Sequence, residues 1–533
     1  MNPMRRIVIA FSGLLLAGIL LLTSYQAQRR MNEIRVRERL VDTEIIENAP
    51  PLVVFTTVAL GSFRGLIANF LWLRTHRMQD EGRYFEMVQL ASWITMLQPR
   101  FTGATAYLAW NMAYNVSVTF SRPEDRWRWV RRGIELIRDE ALVYNPGDPE
   151  LYRELGWIYQ HKLGQEMDDA NIYYKTQLAE EMMSVLGGWP VDWQRWAEAP
   201  NDEPELRSRL GEEHPLWGWL QDRGIRLSEF ERDFREGNGF AEETVEDLRS
   251  LAIRDTLEVY FRGRWLRQRL KMEPHRIARL NREYGELDWR LPEAHAIYWA
   301  SRGLEVAEGG VDMACERMIF QSLNNAFAGG RLLYFRGRDE ALQRPVVQFI
   351  PNVDIVDAVD RAYLDSIEQH PDNRSVVSAR RNFLERAVTT LYMFGREEQA
   401  REYLRTLRRD FPQPEYRRPL EDFALQRLAG DVADANFNQA QGLVQGYLWQ
   451  MCNDLSLGEF ERAAAMERIA AAIWQRYMAR IGERTHERRG LPPYPEMRQN
   501  AIRQALEVFH PELAARLRAA LRQMGFPVDP QNS

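Results

Sequence analysis

Lysine is almost missing from this chain: of 70 basic residues only Lys162, Lys175 and Lys271 are lysines, and the other 67 are arginines. Coding bias toward Arg accounts for most of this, since Lys is ordinarily a common residue. In such a chain a retained Lys is expected where a compact ammonium fits and a planar guanidinium does not. Cysteine is scarcer still. Cys315 and Cys452 stand far apart and in no C-x-x-C or Cys/His spacing, which excludes a disulfide scaffold and argues against zinc or dithiol redox chemistry. The eight histidines are scattered singly, and no Gly-rich phosphate loop, H-E-x-x-H helix or G-x-S-x-G elbow occurs. The sequence therefore predicts no catalytic residue, no cofactor and no metal site.

What is present is apolar and aromatic. Hydrophobic residues make up 45% of the 533, with 16 Trp, far too rich for a disordered chain. The length exceeds one compact core and fits either several domains or an array whose core grows unit by unit. Net charge is −6, and Arg5 and Arg6 are the only charges in residues 1–28, so the remainder carries −8. That balance argues against nucleic acid as a partner, because phosphate affinity needs a net basic face.

Residues 7–25 (IVIAFSGLLLAGILLLTSY) carry no charge and are bracketed by Arg5-Arg6 and Arg29-Arg30. At roughly 1.5 Å per residue they span about 28 Å, the thickness of a hydrocarbon core. A cleaved signal peptide usually has a shorter apolar region and small residues at its exit, whereas the exit here holds Tyr25. The segment reads as a retained transmembrane anchor in an inner (cytoplasmic) membrane. Basic residues on both sides compete under the positive-inside rule, and the export-like layout favours an extracytoplasmic body. A second apolar stretch, 52–73, is interrupted by Arg64, Gly61, Gly65 and Asn69, and reads as a buried or membrane-surface helix.

Beyond the anchor the chain shows recurring small and bulky residues. Tyr152-x2-Leu155-Gly156-x2-Tyr159 follows Asn145-Pro146, and Tyr107-x2-Trp110-Asn111-x2-Tyr114 has the same spacing with Asn in the small position. Gly395 and Pro412 are separated by the distance expected between an inter-helix turn and a terminating proline, with Ala400 at a packing position; Gly82 and Pro99 repeat that separation. This pattern resembles the tetratricopeptide-repeat (TPR) superfamily, over about half of residues 60–480, and the runs 60–74, 126–145 and 284–300 are similar to a group of bacterial membrane-anchored proteins of that type. The resemblance implies an all-α, TPR-like helical-hairpin solenoid with irregular insertions behind one transmembrane helix, whose concave face captures protein segments. A generic all-helical protein is the alternative, because helix pairs obey the same packing rules anyway.

The expected organisation is an anchor (1–30), a juxtamembrane linker (31–60), N-terminal repeats (61–186), an insertion of irregular and helical segments (187–290), C-terminal repeats (291–480), and a linker with capping helices and tail (481–533). Residues 187–239 are acidic, Trp- and Pro-rich and poor in helical periodicity, and 328–352 form a second irregular piece.

Two polar groups stand out as partner-binding candidates. Gln160-His161-Lys162 followed by Asp168-Asp169 lies at the turn of the best repeat with Lys175 nearby; it either pins helices or offers a docking charge. Asp288-Trp289-Arg290 precedes Pro292 and is either a core anchor or an interface hot spot. Arg126-Trp127-Arg128-Trp129 alternates cation and indole, but helical spacing sends neighbours to different faces. The expected function is a membrane-anchored scaffold for protein-protein interaction in a bacterial envelope complex. The alternatives are an accessory subunit of a transporter or export machine, and a hydrolase using acids such as Glu205 or Glu213.

Overall fold

A computed structural model describes residues 63–98, 101–310, 312–335, 346–429, 437–481 and 490–524, with Thr23, Tyr25–Ala27, Arg29 and Arg30. The expected anchor falls outside these residues apart from Thr23 and Tyr25, and no helix among the described residues is long and apolar enough to cross a membrane. The described chain is mostly α-helix.

The first helices are α1 (Phe63–Asp80), α2 (Tyr84–Leu97), α3 (Thr102–Asn111), α4 (Pro123–Glu135), α5 (Pro149–Trp157) and α6 (Asn171–Leu186). Helix starts follow local chemistry. Pro123 and Pro149 occupy first turns, where a missing amide donor costs nothing, and the Asp148 carboxylate caps α5 by accepting from the Glu150 amide at 2.9 Å. Three of these helices continue through wide, i to i+5 turns: α3 over Met112–Val116, α4 over Leu136–Ala141 and α5 over Ile158–Leu163. Such turns recur at functional positions.

Next come the short helices α7 (Trp193–Glu198), α8 (Glu203–Leu210), α9 (Pro215–Asp222), α10 (Leu227–Glu236) and α11 (Glu242–Ser250), then α12 (Arg254–Leu270) and α13 (Pro274–Tyr284). The stretch expected to be irregular is thus helical. Its helices are only two or three turns long, too short for periodicity to register, and they close over a core of their own that includes Leu206, Trp219, Phe230, Phe234, Leu248 and Phe261.

The chain then enters α14 (Pro292–Val306) and α15 (Met313–Gly329). Helix α14 lies along α5, so neighbours in space are separated by the whole of α6–α13 in sequence. Glycines permit the approach: a Cβ on Gly156 would sit 2.5 Å from Met318 Sδ, and one on Gly303 would sit 2.7 Å from Cys315 Sγ and 3.4 Å from Tyr152 Cβ. The second expected irregular piece is instead a hairpin, β1 (Arg331–Phe335) paired antiparallel with β2 (Val346–Ile350) in the register Arg331↔Ile350 to Phe335↔Val346.

After it follow α16 (Val356–Gln369), α17 (Arg374–Met393), α18 (Glu397–Asp410), α19 (Leu420–Ala429), α20 (Phe437–Leu457), α21 (Phe460–Ile481), α22 (Tyr494–Val508) and α23 (Pro511–Gln523). Helices α17 and α18 pack together across a turn in which Gly395 takes φ +73°, a conformation that suits Gly, and Ala400 is fully buried. Pro412 is exposed just beyond the end of α18. One core runs from Leu71 to Phe423 and another joins α20–α23.

Candidate functional site

The polar groups singled out in the sequence are mostly interior. Asp168 is the hub of the first: its carboxylate accepts from Lys162 Nζ at 2.5 Å, Arg126 at 3.0 Å, the Ala170 amide at 3.0 Å and Tyr174 OH at 3.1 Å. Burial opposes its ionisation, but these donors, Lys162 foremost, bring the carboxyl down to about 2. The Lys162 ammonium also lies 5.5 Å from the Tyr114 ring centroid and 5.8 Å from that of Tyr174, a narrow space suited to a compact cation. Asp169 is exposed and pairs with Arg126. Trp127 stacks on Tyr174, and Trp129 packs among Tyr84, Phe85 and Phe120, so both indoles of that motif are core.

Lys175 is likewise buried, 3.5 Å from Glu293 and over the Phe349 ring. Asp288 and Arg290 form a buried bidentate pair that engages both main-chain groups of Leu332. The Leu332 amide donates to Asp288 at 2.9 Å and Arg290 donates to the Leu332 carbonyl at 2.8 Å. The pair therefore holds strand β1 of its own chain. Trp289 is fully buried and donates to Asn281 at 2.9 Å. As partner-binding candidates Lys162, Asp168, Lys175, Asp288, Trp289 and Arg290 are corrected: each is enclosed and already engaged, and burial denies a partner access. Glu205 and Glu213 are surface groups, and the Asn201 amide and Arg209 hold the Glu205 carboxyl below its usual value. A general acid at neutral pH needs the opposite shift.

Of the repeat-like residues, Tyr152, Leu155, Gly156 and Tyr159 are all buried, and Asn111 is buried in a reciprocal amide pair with Gln79. Tyr107 departs from expectation: it is 39% exposed, while the packing side of α3 is made by Ala104, Ala106, Leu108 and Ala109. Tyr114 is only partly buried.

Those two tyrosines belong to a surface feature instead. On α1, Trp72 and His76 are 5.2 Å apart by ring centroids; Trp72 meets Tyr107 at 5.5 Å; Tyr107 meets Trp110 at 6.1 Å. Trp110 stacks on Tyr114 at 5.5 Å, Tyr114 meets His161 at 5.7 Å, and His161 stacks on Trp157 at 4.4 Å. The result is an unbroken aromatic face across α1, α3 and α5, with spacings of three or four residues keeping each set on one side of its helix. Tyr114 and His161 both sit on the widened turns.

The face leads into a cavity of about 350 Å³ between α3, α5 and α15, lined by Trp110, Arg153, Trp157, Gln160, Arg317 and Met318. Gln160 donates to the Met318 carbonyl at 3.0 Å and to Ser322 Oγ at 2.9 Å, which fixes its amide orientation, since only the NH2 can donate to a carbonyl. Its Oε1 is left without a hydrogen-bond partner among the described residues. Arg317 is exposed, and its recorded contact is Met313 Sδ at 3.8 Å; no carboxylate among the described residues pairs with it. Burial raises the Glu154 carboxyl beside the cavity, and burial with the Lys162 charge lowers the His161 imidazole, so the ring is neutral at pH 7.

Trp72, His76, Arg153, Trp157 and Arg317 were not singled out in the sequence; the legible signal was aromatic spacing in α1, α3 and α5. No group of His, Cys, Asp or Glu among the described residues could hold a metal ion. Comparison with protein families, curated proteins and solved structures gives no match.

Proposed function

We propose that this chain is a membrane-anchored docking protein of TPR-like type, held by residues 7–25 in a bacterial envelope membrane. Its groove takes an extended segment of a partner protein. The observation that carries the reading is the aromatic face of α1, α3 and α5 running into a cavity at whose edge Arg317 has no anionic partner among the described residues. Apolar and aromatic side chains of the segment lie along Trp72, Tyr107 and Trp110, and an acidic side chain answers Arg317. Aromatic residues and Arg are the types that concentrate binding energy at interfaces. Leu66, Phe70 and Leu73 project from α1 into solvent, 63–70% exposed, with Arg74 and Arg77 beside them, which supports a body lying against the membrane surface.

The test is fluorescence anisotropy of the full chain against extended peptides in which acidic, basic and aromatic positions are varied one at a time. Aromatic-acidic peptides are expected to bind best. Trp110→Ala should weaken them by about tenfold, the size of an ordinary hot-spot contact. Arg317→Glu should shift preference from acidic to basic peptides. An unchanged charge preference in that variant refutes the proposal.

A further inference from the structure

A second cavity, of about 340 Å³, opens where the α12–α13 turn meets α14, and Arg138, Lys271, Glu273, Arg276, Trp299 and Arg302 line it. The charges around it do not balance. Arg138 is neutralised by bidentate bonds to Asp139 at 2.8 and 2.7 Å, and Glu273 by Arg267 at 2.9 Å. Arg276, Arg302 and the neighbouring Arg279 all converge on one carboxylate, Glu305. Lys271 is exposed and has no carboxylate within ion-pair distance among the described residues. Three guanidinium groups against one carboxylate, with the Lys271 ammonium added, leave an excess of three positive charges in and beside the cavity, Arg279 lying outside its lining.

Two further features mark this as a built arrangement. Lys271 ends α12 in the left-handed region, φ 55° and ψ 30°, a position where Gly is the natural occupant and any other side chain is strained. Strain of this kind is kept where the surroundings use the side chain. The next turn is pinned by the Glu273 amide, which donates to Tyr298 OH at 2.8 Å, so the Lys271 main chain is held against α14.

We propose that this cavity binds a phosphate group, its oxyanion held by the Lys271 ammonium and the Arg276 and Arg302 guanidinium groups. A dianion suits a threefold positive excess better than a single carboxylate, and guanidinium groups match phosphate oxygens in pairs. The phosphate comes from a soluble metabolite or a lipid headgroup, and the experiment separates the two.

Isothermal titration calorimetry of the full chain, in an uncharged sugar-headed detergent, uses inorganic phosphate in one arm and dihexanoyl phosphatidic acid, below its micellar concentration, in the other. At least one probe is expected to bind saturably, and more weakly as NaCl is raised. Lys271→Gln should weaken it by about tenfold or more. Lys271→Gly should do the same while raising thermal stability, because it removes the left-handed strain. Binding of phosphate points to the soluble source, and binding of the lipid analogue alone to the headgroup. Saturation by neither probe, or unchanged binding in both Lys271 variants, overturns the proposal.

Discussion

Gly133 and Gly446 offer a matched test of the helix packing. Both lie inside helices, Gly133 in α4 and Gly446 in α20. A Cβ on Gly133 would stand 2.6 Å from the main-chain oxygen of Ala109 on α3, whereas one on Gly446 meets nothing within 4 Å. In a helix interior Gly→Ala is worth about 1 kcal/mol in favour of the fold. Gly446→Ala should therefore stabilise α20 by about that amount. At Gly133 the gain is opposed by a backbone contact that no rotamer change relieves. Moving α3 and α4 apart by several tenths of an ångström belongs with overpacking costs of about 1–3 kcal/mol, which offset the gain of about 1 kcal/mol and leave a net loss of up to about 2 kcal/mol. Hydrogen exchange read on peptides from each helix is the appropriate assay, because a chain with several cores need not unfold in one step. About tenfold faster exchange in α3 and α4 is expected for Gly133→Ala, and slower exchange in α20 for Gly446→Ala. Equal, stabilising responses from both would refute the close approach of α3 to α4, and with it the placement of Tyr107 and Trp110.

Asp168→Asn leaves Lys162 and Arg126 with no buried countercharge and should cost about 3 kcal/mol, while Lys162→Met, which leaves Asp168 paired to Arg126 and bonded to Tyr174, should cost less; urea unfolding read at Trp127 orders the two. Because the Asp168 carboxyl is depressed to about 2, its contribution is complete above the usual carboxylate range and is lost as pH falls from about 4 toward 2; urea titrations should show that acid limb shrinking in Asp168→Asn. His295 behaves in the same direction in a milder window. Burial lowers its imidazole to about 4, its Nε2 is 3.0 Å from the Trp289 carbonyl and its Nδ1 is buried without a partner. Below the ordinary His value near 6.5 the unfolded chain takes up a proton that the folded chain refuses. Hydrogen exchange in α14 should thus quicken as pH falls from 6.5 toward 4 after correction for intrinsic rates, and His295→Phe should abolish that acceleration.

The helical class was legible, because a long helix such as α14 carries apolar periodicity and starts at a proline. The helices of 203–250 were not, since eight- to ten-residue helices give a pattern too short to separate from loops. Strand β1 was invisible for another reason. The groups that hold it, Asp288 and Arg290, lie more than forty residues upstream and reach it through main-chain atoms of Leu332, which no side-chain pattern encodes. At the site the same spacing hid different roles. Tyr152 and Tyr159 face the α5–α14 crossing and are buried, whereas Tyr107 turns outward because the alanines of α3 take the packing side, and Tyr114 lies half-buried against the core. The alanines at 104, 106, 109 and 113 carried that information; the tyrosines alone did not.

The three lysines divide along the same physical line. Lys162 and Lys175 are buried ammonium groups wedged between a carboxylate and an aromatic ring, where a guanidinium fork would need room and donors to spare. Lys271 has neither a carboxylate nor a ring as partner among the described residues and sits in a strained backbone position at a cavity. The crossing of α5 and α14 lies between the two cavities: Trp157 and Gln160 border one, Tyr152, Trp299 and Arg302 the other, and Arg302 donates to Tyr152 OH at 3.2 Å across it. A close-packed crossing does not deform by degrees. Arg302 thus ties the second cavity to α5, and its removal would leave the Tyr152 hydroxyl donating to the Pro146 carbonyl with no side-chain donor of its own among the described residues.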